Sequence, residues 1–523
     1  MTDLTLIDAL KRQVRERGNA VAMQAGEHAW TFADLDRDSN RIAGALAAMG
    51  VGKGDRVACL TKHHPQCLLL CLAACKIGAV CMPVNWRLAG PEIQQIMNHG
   101  EARFLMVDEA FSAQFKPEAG LPTPMIRQIV TTERPAAGFP SLAEWSAGYP
   151  DVFEAHPAGT DAPAIQLYSS GTTGLPKGIV LSHSGLIQSC VVAADSWKFD
   201  ENGVLGNPLP TFHIAGMVVM LMTITCGGPN LTYPDFVPAE FIASIGKGGI
   251  THTFLVPGMI MFMVDSPAAP TGDYRTLRLV SYGGSPISER VLKDAIALFD
   301  CDFVQAYGLT ETTGSVTLLS PEAHRQGGDL LRSAGTPVAD TIIKIVDPAT
   351  FQDLGENETG EVWSKSVRNF LEYWRSPEAT AAAYPEGRGA DGGWFRTGDG
   401  GYIKDGYLYI NDRIKDMVIS GGENIYPAEI ENVLMSHPHV ADCAIIGVPD
   451  AKWGESIKAL VVKKPGCEPD SAEIIAWMRK RLAGFKCPKS VDYIEALPRN
   501  PSGKILKRIL REPYWKDQQR AVH

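Results

Sequence analysis

Residues 167 to 178, LYSSGTTGLPKG, are the densest cluster of hydroxyl groups and glycines in the chain. They lie between two short apolar runs, AIQLY at 164 to 168 and GIVLS at 178 to 182, whose composition predicts β-strands. Glycines permit positive φ and close backbone approach, so successive N–H groups can turn inward on a phosphate. Further donors are the hydroxyls of Ser169, Ser170, Thr172 and Thr173. With Lys177 as a cation, the segment predicts a phosphate-binding loop on a β-hairpin.

This loop differs from the Walker P-loop, which requires Gly-x4-Gly-Lys-Ser/Thr at the start of a helix. Here Pro176 precedes the lysine, and a predicted strand follows it. A second Gly-Lys pair, in NPSGKILKR at 500 to 508, also departs from the Walker order. Pro498 stands where the first glycine would be, and Ile505 replaces the Ser or Thr. The alternative interpretation is a flexible surface loop for residues 167 to 178 and a basic, solvated turn for residues 500 to 508.

Short Val, Ile, Leu and Ala runs alternate with longer amphipathic runs from about residue 30 to 350, the pattern of an α/β domain. The clearest predicted strands are RVACL (56 to 60), AIQLY (164 to 168), THTFLV (251 to 256) and LRLVSYGG (277 to 284). Each of them ends near Gly, Ser or Pro. Ligands of open α/β sheets usually bind at such strand ends.

The most apolar run, CLLLCLAACKIGAVCMPV at 67 to 84, contains Lys76 and Gly78 and is too broken to span a bilayer. It predicts a buried helix followed by a strand. Three cysteines would share one face of that helix: Cys67, Cys71 and Cys75. Because no His or carboxylate stands beside them at ligand spacing, we predict buried packing and assign no metal.

The whole composition is that of a folded protein of more than one domain. The chain has 523 residues, of which 45% are hydrophobic and 21% charged, and a formal net charge of −10. This charge argues against a general nucleic-acid surface, which needs a basic face. The amphipathic N-terminus lacks a signal peptide, and the last residues lack a Ser-Lys-Leu ending. We therefore expect a cytoplasmic protein without a transmembrane segment.

The pattern changes after residue 340 to short, turn-rich strands, which predict a β subdomain. Beyond Asp416 a compact α+β pattern follows, with helices at AEIENVLMSH and SAEIIAWMRKRLAG and strands at VADCAIIGV and SIKALVVKK. We expect an α/β fold with a large N-terminal domain, residues 1–412, made of two α/β subdomains and the β subdomain. A small α+β domain would occupy residues 413–523.

The loop at 167 to 178 closely resembles the signature loop of the adenylate-forming superfamily, which includes acyl-CoA synthetases, amino-acid adenylation domains and luciferase-like enzymes. That resemblance implies further motifs in a fixed order, and they are present. GGSPIS at 283 to 288 and QAYGLTET at 305 to 312 resemble the adenine-binding segments. RTGDGGY at 396 to 402 resembles the ribose-binding motif, and DRIKDMVISGGENIYPAEIE at 412 to 431 resembles the hinge region.

The resemblance implies which residues contact ATP. In the loop they are Ser169, Ser170, Gly171, Thr172, Thr173, Gly174 and Lys177. In the adenine segments they are Gly283, Gly284, Ser285, Pro286, Gln305, Ala306, Tyr307, Gly308 and Thr310. Asp399 would accept both hydrogen bonds of the ribose diol, and Arg413 would contact ribose and phosphate. On their own, Tyr307 would be read as a core residue, Asp399 as a turn residue and Arg413 as a solvated side chain.

Joining a carboxylate to ATP brings two anions together, and like charges about 4 Å apart repel by roughly 4 kcal/mol at an effective dielectric of 20. A divalent cation with oxygen ligands offsets this repulsion. The resemblance implies that Glu311 is the carboxylate that binds Mg²⁺. Taken alone, a Glu after a Thr would be read as a charge at a helix N-terminus.

The segment LPRNPSGKILKR at 497 to 508 resembles the C-terminal motif of the superfamily, whose mobile lysine reaches the substrate carboxylate and the α-phosphate. Here that lysine is Lys504. His213 stands at the position that flanks the substrate carboxylate. Together with Thr173 and Glu311, these are the catalytic residues that the resemblance implies.

The thioester-forming step would use residues of the C-terminal region. Lys415 matches the hinge position, and Gly421 and Gly422 would let a pantetheine arm pass close to the backbone. The further contacts implied for CoA are Trp453, Phe485 and Lys486. Related CoA ligases often have a basic residue where Cys487 stands, so one phosphate contact is absent.

The resemblance implies an ATP-dependent carboxylic acid:CoA ligase that forms an acyl-adenylate and then an acyl-CoA. Alternatives are an acyl-AMP ligase that loads a carrier-protein thiol, and a luciferase-like adenylating enzyme. Amino-acid adenylation domains usually have an Asp after the Phe of PLPTFHIAGM, and His213 stands there instead. Methionine-rich segments, HIAGMVVMLM and VPGMIMFMV, favour a fatty, aryl or alicyclic acid. The expected partners are that acid, ATP, Mg²⁺, CoA and, at most, a second copy of the chain in a homodimer.

Overall fold

The computed structural model describes residues 4–116, 122–156, 158–169, 176–413, 416–420, 423–450, 452–499 and 505–516. Its described residues form two compact units. The first unit consists of residues within Met1–Pro286, Val291–Ile342 and Ser364–Phe395. The second unit consists of residues within Ile287–Arg290, Ile343–Trp363 and Arg396–His523.

The α-helices of these residues follow in chain order. They are α1 (Leu6–Arg17), α2 (Phe32–Ala48), α3 (Gln66–Lys76), α4 (Gly90–His99), α5 (Leu142–Ser146), α6 (His183–Trp197), α7 (Ile214–Cys226), α8 (Pro238–Gly248), α9 (Pro257–Val264), α10 (Glu289–Phe299), α11 (Pro321–Gln326), α12 (Pro377–Ala383), α13 (Pro427–Met435), α14 (Ser471–Arg479) and α15 (Lys507–Trp515). Within the described ranges, no helix is both long enough and apolar enough to cross a membrane.

The first thirteen strands of the described residues lie among these helices, up to Leu309. They are β1 (Val21–Ala25), β2 (His28–Thr31), β3 (Arg56–Leu60), β4 (Val80–Pro83), β5 (Ala102–Val107), β6 (Gln128–Thr131), β7 (Pro163–Ser169), β8 (Lys177–Ser182), β9 (Leu205–Asn207), β10 (Asn230–Thr232), β11 (His252–Leu255), β12 (Leu279–Gly283) and β13 (Asp302–Leu309). The later strands are β14 (Gly314–Leu319), β15 (Thr336–Pro337), β16 (Ile342–Val346), β17 (Gly360–Lys365), β18 (Glu372–Tyr373), β19 (Trp394–Lys404), β20 (Tyr407–Arg413), β21 (Val418–Ser420), β22 (Glu423–Ile425), β23 (Val440–Asp450), β24 (Gly454–Lys463) and β25 (Ser490–Tyr493).

The first unit contains two large sheets, which confirms the predicted pair of α/β subdomains. One sheet has nine strands in the order β15-β14-β13-β12-β11-β9-β10-β1-β2, and the other has seven in the order β18-β8-β7-β4-β3-β5-β6. Strands β9 to β13 pair in parallel, as do β3, β4, β5 and β7. The carboxyl ends of parallel strands share one edge, where ligand-binding loops collect.

The apolar run at 67 to 84 forms the buried helix and strand that its sequence predicts, α3 and β4. All eleven residues of α3 are buried, and its three cysteines belong to the main hydrophobic core. Lys76 is buried as well, with its side chain 1% exposed. Its ammonium donates to Asp36 Oδ1 at 2.7 Å, Ser39 Oγ at 2.8 Å and Asn40 Oδ1 at 2.6 Å, which joins α3 to α2. The charge is therefore fully partnered, as a buried ammonium requires.

The second unit contains most residues of a four-stranded sheet and the whole of a five-stranded sheet. The first has the order β16-β17-β19-β20, and the second has the order β22-β21-β24-β23 with β25 paired to β24. The predicted helices and strands beyond Asp416 are confirmed as α13, β23, β24 and α14. The predicted boundary between residues 412 and 413 lies inside this unit. The division into a large domain and a mobile small domain stays a prediction.

Three histidines of the first unit are almost completely buried. His63 is 2% exposed, His183 is 1% exposed and His252 is 2% exposed. Burial lowers the pKa of His63 to about 3 and those of His183 and His252 to about 4. Because an unperturbed imidazole has a pKa of about 6.5, all three are neutral in the folded protein at pH 7.

The free energy of unfolding should therefore fall as the pH decreases from about 6.5 towards 4. In this window the unfolded chain binds protons that the folded chain does not, each worth at most about 1.4 kcal/mol per pH unit. The urea midpoint, measured at several pH values between 7.5 and 5, should decrease steadily. Replacing His183 by Gln should flatten that dependence, whereas replacing the exposed His28 by Gln should not. A midpoint that stays constant down to pH 5 would contradict this account.

Candidate active site

The predicted adenine segments lie side by side at the carboxyl ends of two parallel strands. Tyr282 pairs with Gln305, and Gly283 pairs with Ala306, across β12 and β13. A Cβ atom at Gly283 would lie 2.1 Å from the carbonyl oxygen of Ala306, so this close approach requires glycine. Gly284 follows with φ of +82°, which turns the chain away from the sheet edge and leads to Ser285 and Pro286. The structure thus brings together residues that are more than 20 positions apart in the sequence.

The turn between β13 and β14 carries the predicted metal-binding residue. Tyr307 and Gly308 are in β13, and Thr310 and Glu311 follow in the turn. The buried Thr312 fixes this turn, since its hydroxyl accepts from the N–H of Leu309 at 2.9 Å and donates to the carbonyl of Gly314 at 2.7 Å. The turn therefore has a defined shape that holds Glu311 at the same edge as the adenine segments.

The Glu311 side chain and backbone are both held by hydrogen bonds to the segment at residues 370 to 373. Oε1 accepts a hydrogen bond from the hydroxyl of Tyr373 at 3.0 Å, and the backbone carbonyl accepts from the N–H of Phe370 at 2.7 Å. Among the described residues no group of three or more His, Cys, Asp or Glu side chains could hold a metal ion. A cation at Glu311 would therefore take most of its ligands from phosphates and water, the manner in which Mg²⁺ is usually held.

The predicted phosphate loop is carried by an antiparallel hairpin, which confirms the fold predicted for its flanks. β7 and β8 pair with Ser169 opposite Lys177, at the two ends of the loop. The ammonium of Lys177 lies 4.5 Å from the ring centroid of Tyr373, a cation–π contact. Tyr373 itself belongs to β18, which pairs with β8 through Tyr373 and Ile179. The loop lysine and the Glu311 carboxylate thus contact the same tyrosine.

His213 stands at the start of α7, after the loop that follows β9. Its ring lies against Phe212 with a centroid distance of 4.6 Å, and its buried Nε2 has no hydrogen-bond partner among the described residues. Burial, and to a smaller extent the charge of Arg87, lower the pKa of His213 to about 4. The imidazole is therefore neutral at pH 7, and one of its nitrogens is available for a ligand.

The methionines of the two predicted pocket segments have different surroundings. Met217, Met220 and Met222 of α7 are completely buried in the hydrophobic core, so they pack against protein rather than lining an open pocket. Met259 and Met261 of α9 are partly exposed. Only the α9 segment thus keeps accessible thioethers.

Asp399 belongs to the second unit and is 6% exposed. Its backbone in β19 pairs with that of Arg413 in β20, and the predicted ribose contacts of both residues stay predictions. Glu361 holds the residues just before Asp399 in place. Its carboxylate accepts a hydrogen bond from the N–H of Gly398 at 3.1 Å and forms an ion pair with Arg396 at 2.8 Å. Sequence reasoning did not find Glu361, because its role depends on contacts 35 and 37 residues along the chain.

The predicted CoA contacts also belong to the second unit. Trp453 is 42% exposed and Phe485 is 47% exposed, so both rings are accessible. Lys486 forms an ion pair with Glu429 at 2.7 Å. Cys487 is buried, so it offers no surface group in place of a basic residue.

Several predicted site residues lie outside the described part of the chain. They are Ser170, Gly171, Thr172, Thr173, Gly174, Lys415, Gly421, Gly422 and Lys504. Their roles stay predictions.

Comparisons with known proteins agree with the motifs and with the fold. The model of the AMP-binding enzyme family matches residues 10–374, and that of the AMP-binding enzyme C-terminal domain matches residues 429–504. The chain is 37% identical over 527 residues to the fatty acid:acyl-carrier-protein ligase ScoC of Streptomyces coeruleorubidus. The matched region covers 99% of this chain and 98% of that protein. It is 36% identical over 511 residues to a feruloyl-CoA synthase of an Amycolatopsis species, covering 96% and 98%.

The fold is also that of solved members of the family. The crystal structure of ATP-bound MatB from Rhodopseudomonas palustris has a TM-score of 0.87 and 30% identity, over 98% of this chain and 99% of that one. The family model alone matches more than half of the chain. The chain therefore belongs to the AMP-binding enzyme family, in the adenylate-forming superfamily, and is an acid–thiol ligase of the AMP-forming acyl-CoA synthetase type.

Proposed function

We propose that this ligase activates a hydrophobic carboxylic acid with MgATP and transfers the acyl group to CoA. The observation that carries the proposal is the arrangement around Tyr373. Glu311, which follows the adenine segment of β13, and Lys177, which begins β8, both contact this tyrosine. Related proteins include a long-chain-fatty-acid:CoA ligase, a feruloyl-CoA synthase and an indoleacetate:CoA ligase. Their shared chemistry is a carboxyl group on an apolar body, which supports the substrate class.

The proposed first step is attack of the substrate carboxylate on the α-phosphorus of ATP, with release of pyrophosphate. Lys177 would bind phosphate oxygens, and Glu311 would hold Mg²⁺, which neutralises phosphate charge when bound. Lys504 and Thr173 would contact the reacting phosphate. No covalent enzyme nucleophile is needed, so the residues contribute orientation and charge stabilisation.

His213 is suited to orienting the substrate carboxylate. Its pKa of about 4 keeps it neutral, so an N–H can donate to a carboxylate oxygen without forming an ion pair that would weaken the nucleophile. Its unpartnered Nε2 supports this role, because a buried polar atom normally has a partner. The neighbouring Phe212 gives the same site an apolar side.

In the proposed second step, the thiol of CoA displaces AMP. The small domain, residues 413–523, would change its orientation about Lys415 between the two steps. Asp399 and Arg413 would hold the ribose. The exposed rings of Trp453 and Phe485 would contact CoA, since flat aromatic faces suit an adenine.

A carrier-protein thiol is the second candidate acceptor. The full-length similarity to ScoC, whose name gives an acyl-carrier protein as its substrate, favours it. Cys487, where a CoA phosphate contact would need a cation, also fits a smaller role for CoA.

Substitution of Lys504 by Ala should separate the two half-reactions. Formation of acyl-AMP should fall by about a hundredfold or more, because a preorganised charge at the reacting phosphate is lost. Thioester formation from supplied acyl-AMP should stay near the wild-type rate. Substitution of the exposed Arg508 by Ala is the matched control and should leave both rates unchanged. Equal loss of both steps in the Lys504 variant would refute this role.

Acid and acceptor can be identified in one experiment. Pyrophosphate release is measured with fatty, aryl and alicyclic acids, each with CoA, with a phosphopantetheinylated carrier protein, or with neither. We expect a fatty or aryl acid to give the highest rate and CoA to sustain turnover. Turnover only with the carrier protein would replace CoA as the acceptor, and absence of pyrophosphate release with every acid would refute the proposed function.

A further inference from the structure

Tyr373 contacts both of the oppositely charged residues that the proposed function assigns to MgATP. Its hydroxyl donates to Glu311 Oε1 at 3.0 Å, and the ammonium of Lys177 lies 4.5 Å from its ring centroid. The tyrosine is 7% exposed. One buried side chain therefore holds an anion through its hydroxyl and a cation through its ring.

The position of this ring is fixed by its surroundings. The backbone of Tyr373 pairs with Ile179 of β8, and its N–H donates to Thr380 Oγ1 at 3.0 Å. Phe370 packs against the ring with a centroid distance of 4.6 Å, and its own N–H donates to the carbonyl of Glu311. The segment that carries the tyrosine is thus bound to the turn that carries the glutamate.

Glu311 and Lys177 form no ion pair with each other in the described structure, although both contact Tyr373. A direct pair would neutralise the carboxylate that a cation needs and the ammonium that a phosphate needs. A phenol hydroxyl is a neutral donor, so it orients the carboxylate and leaves its negative charge for a cation. The ring face likewise holds the ammonium without neutralising it.

We propose that Tyr373 is a positioning residue that keeps Glu311 and Lys177 apart and orients each for MgATP. The inference rests on the proposed function, because it assumes that ATP and a divalent cation bind at Lys177 and Glu311. Tyr373 itself touches neither in this account. Its effect should therefore be visible in the binding of the cation before any chemistry occurs.

The test compares three variants in the full chain. Tyr373→Phe removes the hydroxyl and keeps the ring, and Tyr373→Leu removes both contacts. Tyr384→Phe is the matched control, since Tyr384 packs in the same aromatic cluster and its hydroxyl donates to the carbonyl of Phe370 at 2.7 Å. Any loss of packing in the cluster should appear in the control as well.

The main readout is binding of Mn²⁺, a probe for Mg²⁺, in the presence of adenosine 5′-(α,β-methylene)triphosphate, which cannot be cleaved to AMP. Free Mn²⁺ is measured by electron paramagnetic resonance. Tyr373→Phe should weaken Mn²⁺ binding about tenfold, the loss of one hydrogen bond to a charged group. It should leave the affinity for the metal-free analogue within about twofold. Tyr373→Leu should weaken both, because Lys177 also loses its support.

Two results would overturn the inference while leaving the proposed function intact. One is wild-type Mn²⁺ affinity in Tyr373→Phe, and the other is the same loss in Tyr384→Phe. A wild-type protein that binds neither Mn²⁺ nor the analogue, and that catalyses no exchange of pyrophosphate into ATP, would refute the proposed function and the inference together. Should Tyr373→Leu fail to fold, the conservative Phe variant still decides between these outcomes.

Discussion

The repulsion between a carboxylate and a polyphosphate is the constraint on which the arrangement of this protein depends. At about 4 Å two like charges repel by roughly 4 kcal/mol at an effective dielectric of 20, so the site must supply positive charge and hold it in place. In the first unit, the ammonium of Lys177 contacts the ring of Tyr373, and the carboxylate of Glu311 accepts a hydrogen bond from its hydroxyl. Both charges are thus held by one neutral residue without forming an ion pair among the described residues. The neutral His213 adds a donor without adding charge.

Parallel strands make this arrangement rigid. The register of β12 and β13 places Gly283 beside Ala306, and the close approach at Gly283 leaves no room for a side chain. The hairpin of β13 and β14 then carries Glu311 in a turn fixed by Thr312. In the second unit, Glu361 fixes the residues before Asp399 by accepting a hydrogen bond from the N–H of Gly398. Groups held by backbone register and buried hydrogen bonds need little reorganisation when substrates bind.

The sequence predicts the strands and helices, because these depend on local patterns. Apolar runs such as RVACL are confirmed as strands. The adenine segments follow from the resemblance to the superfamily, and their role stays a prediction. The sequence does not predict Tyr373, whose contact with Glu311 joins residues 62 positions apart. For the methionines of α7 the sequence leaves core packing and a pocket wall both open, since the two have the same composition, and the structure shows core packing. Such roles arise from tertiary contacts.

The central claim is that the substrate carboxylate attacks the α-phosphorus of ATP to form an acyl-adenylate. An acid that supports turnover, labelled with ¹⁸O in both carboxyl oxygens, tests it most directly when the products are weighed by mass spectrometry. The account predicts one ¹⁸O atom in AMP, one in the thioester carbonyl and none in pyrophosphate. Label in pyrophosphate or inorganic phosphate, or unlabelled AMP, would contradict it.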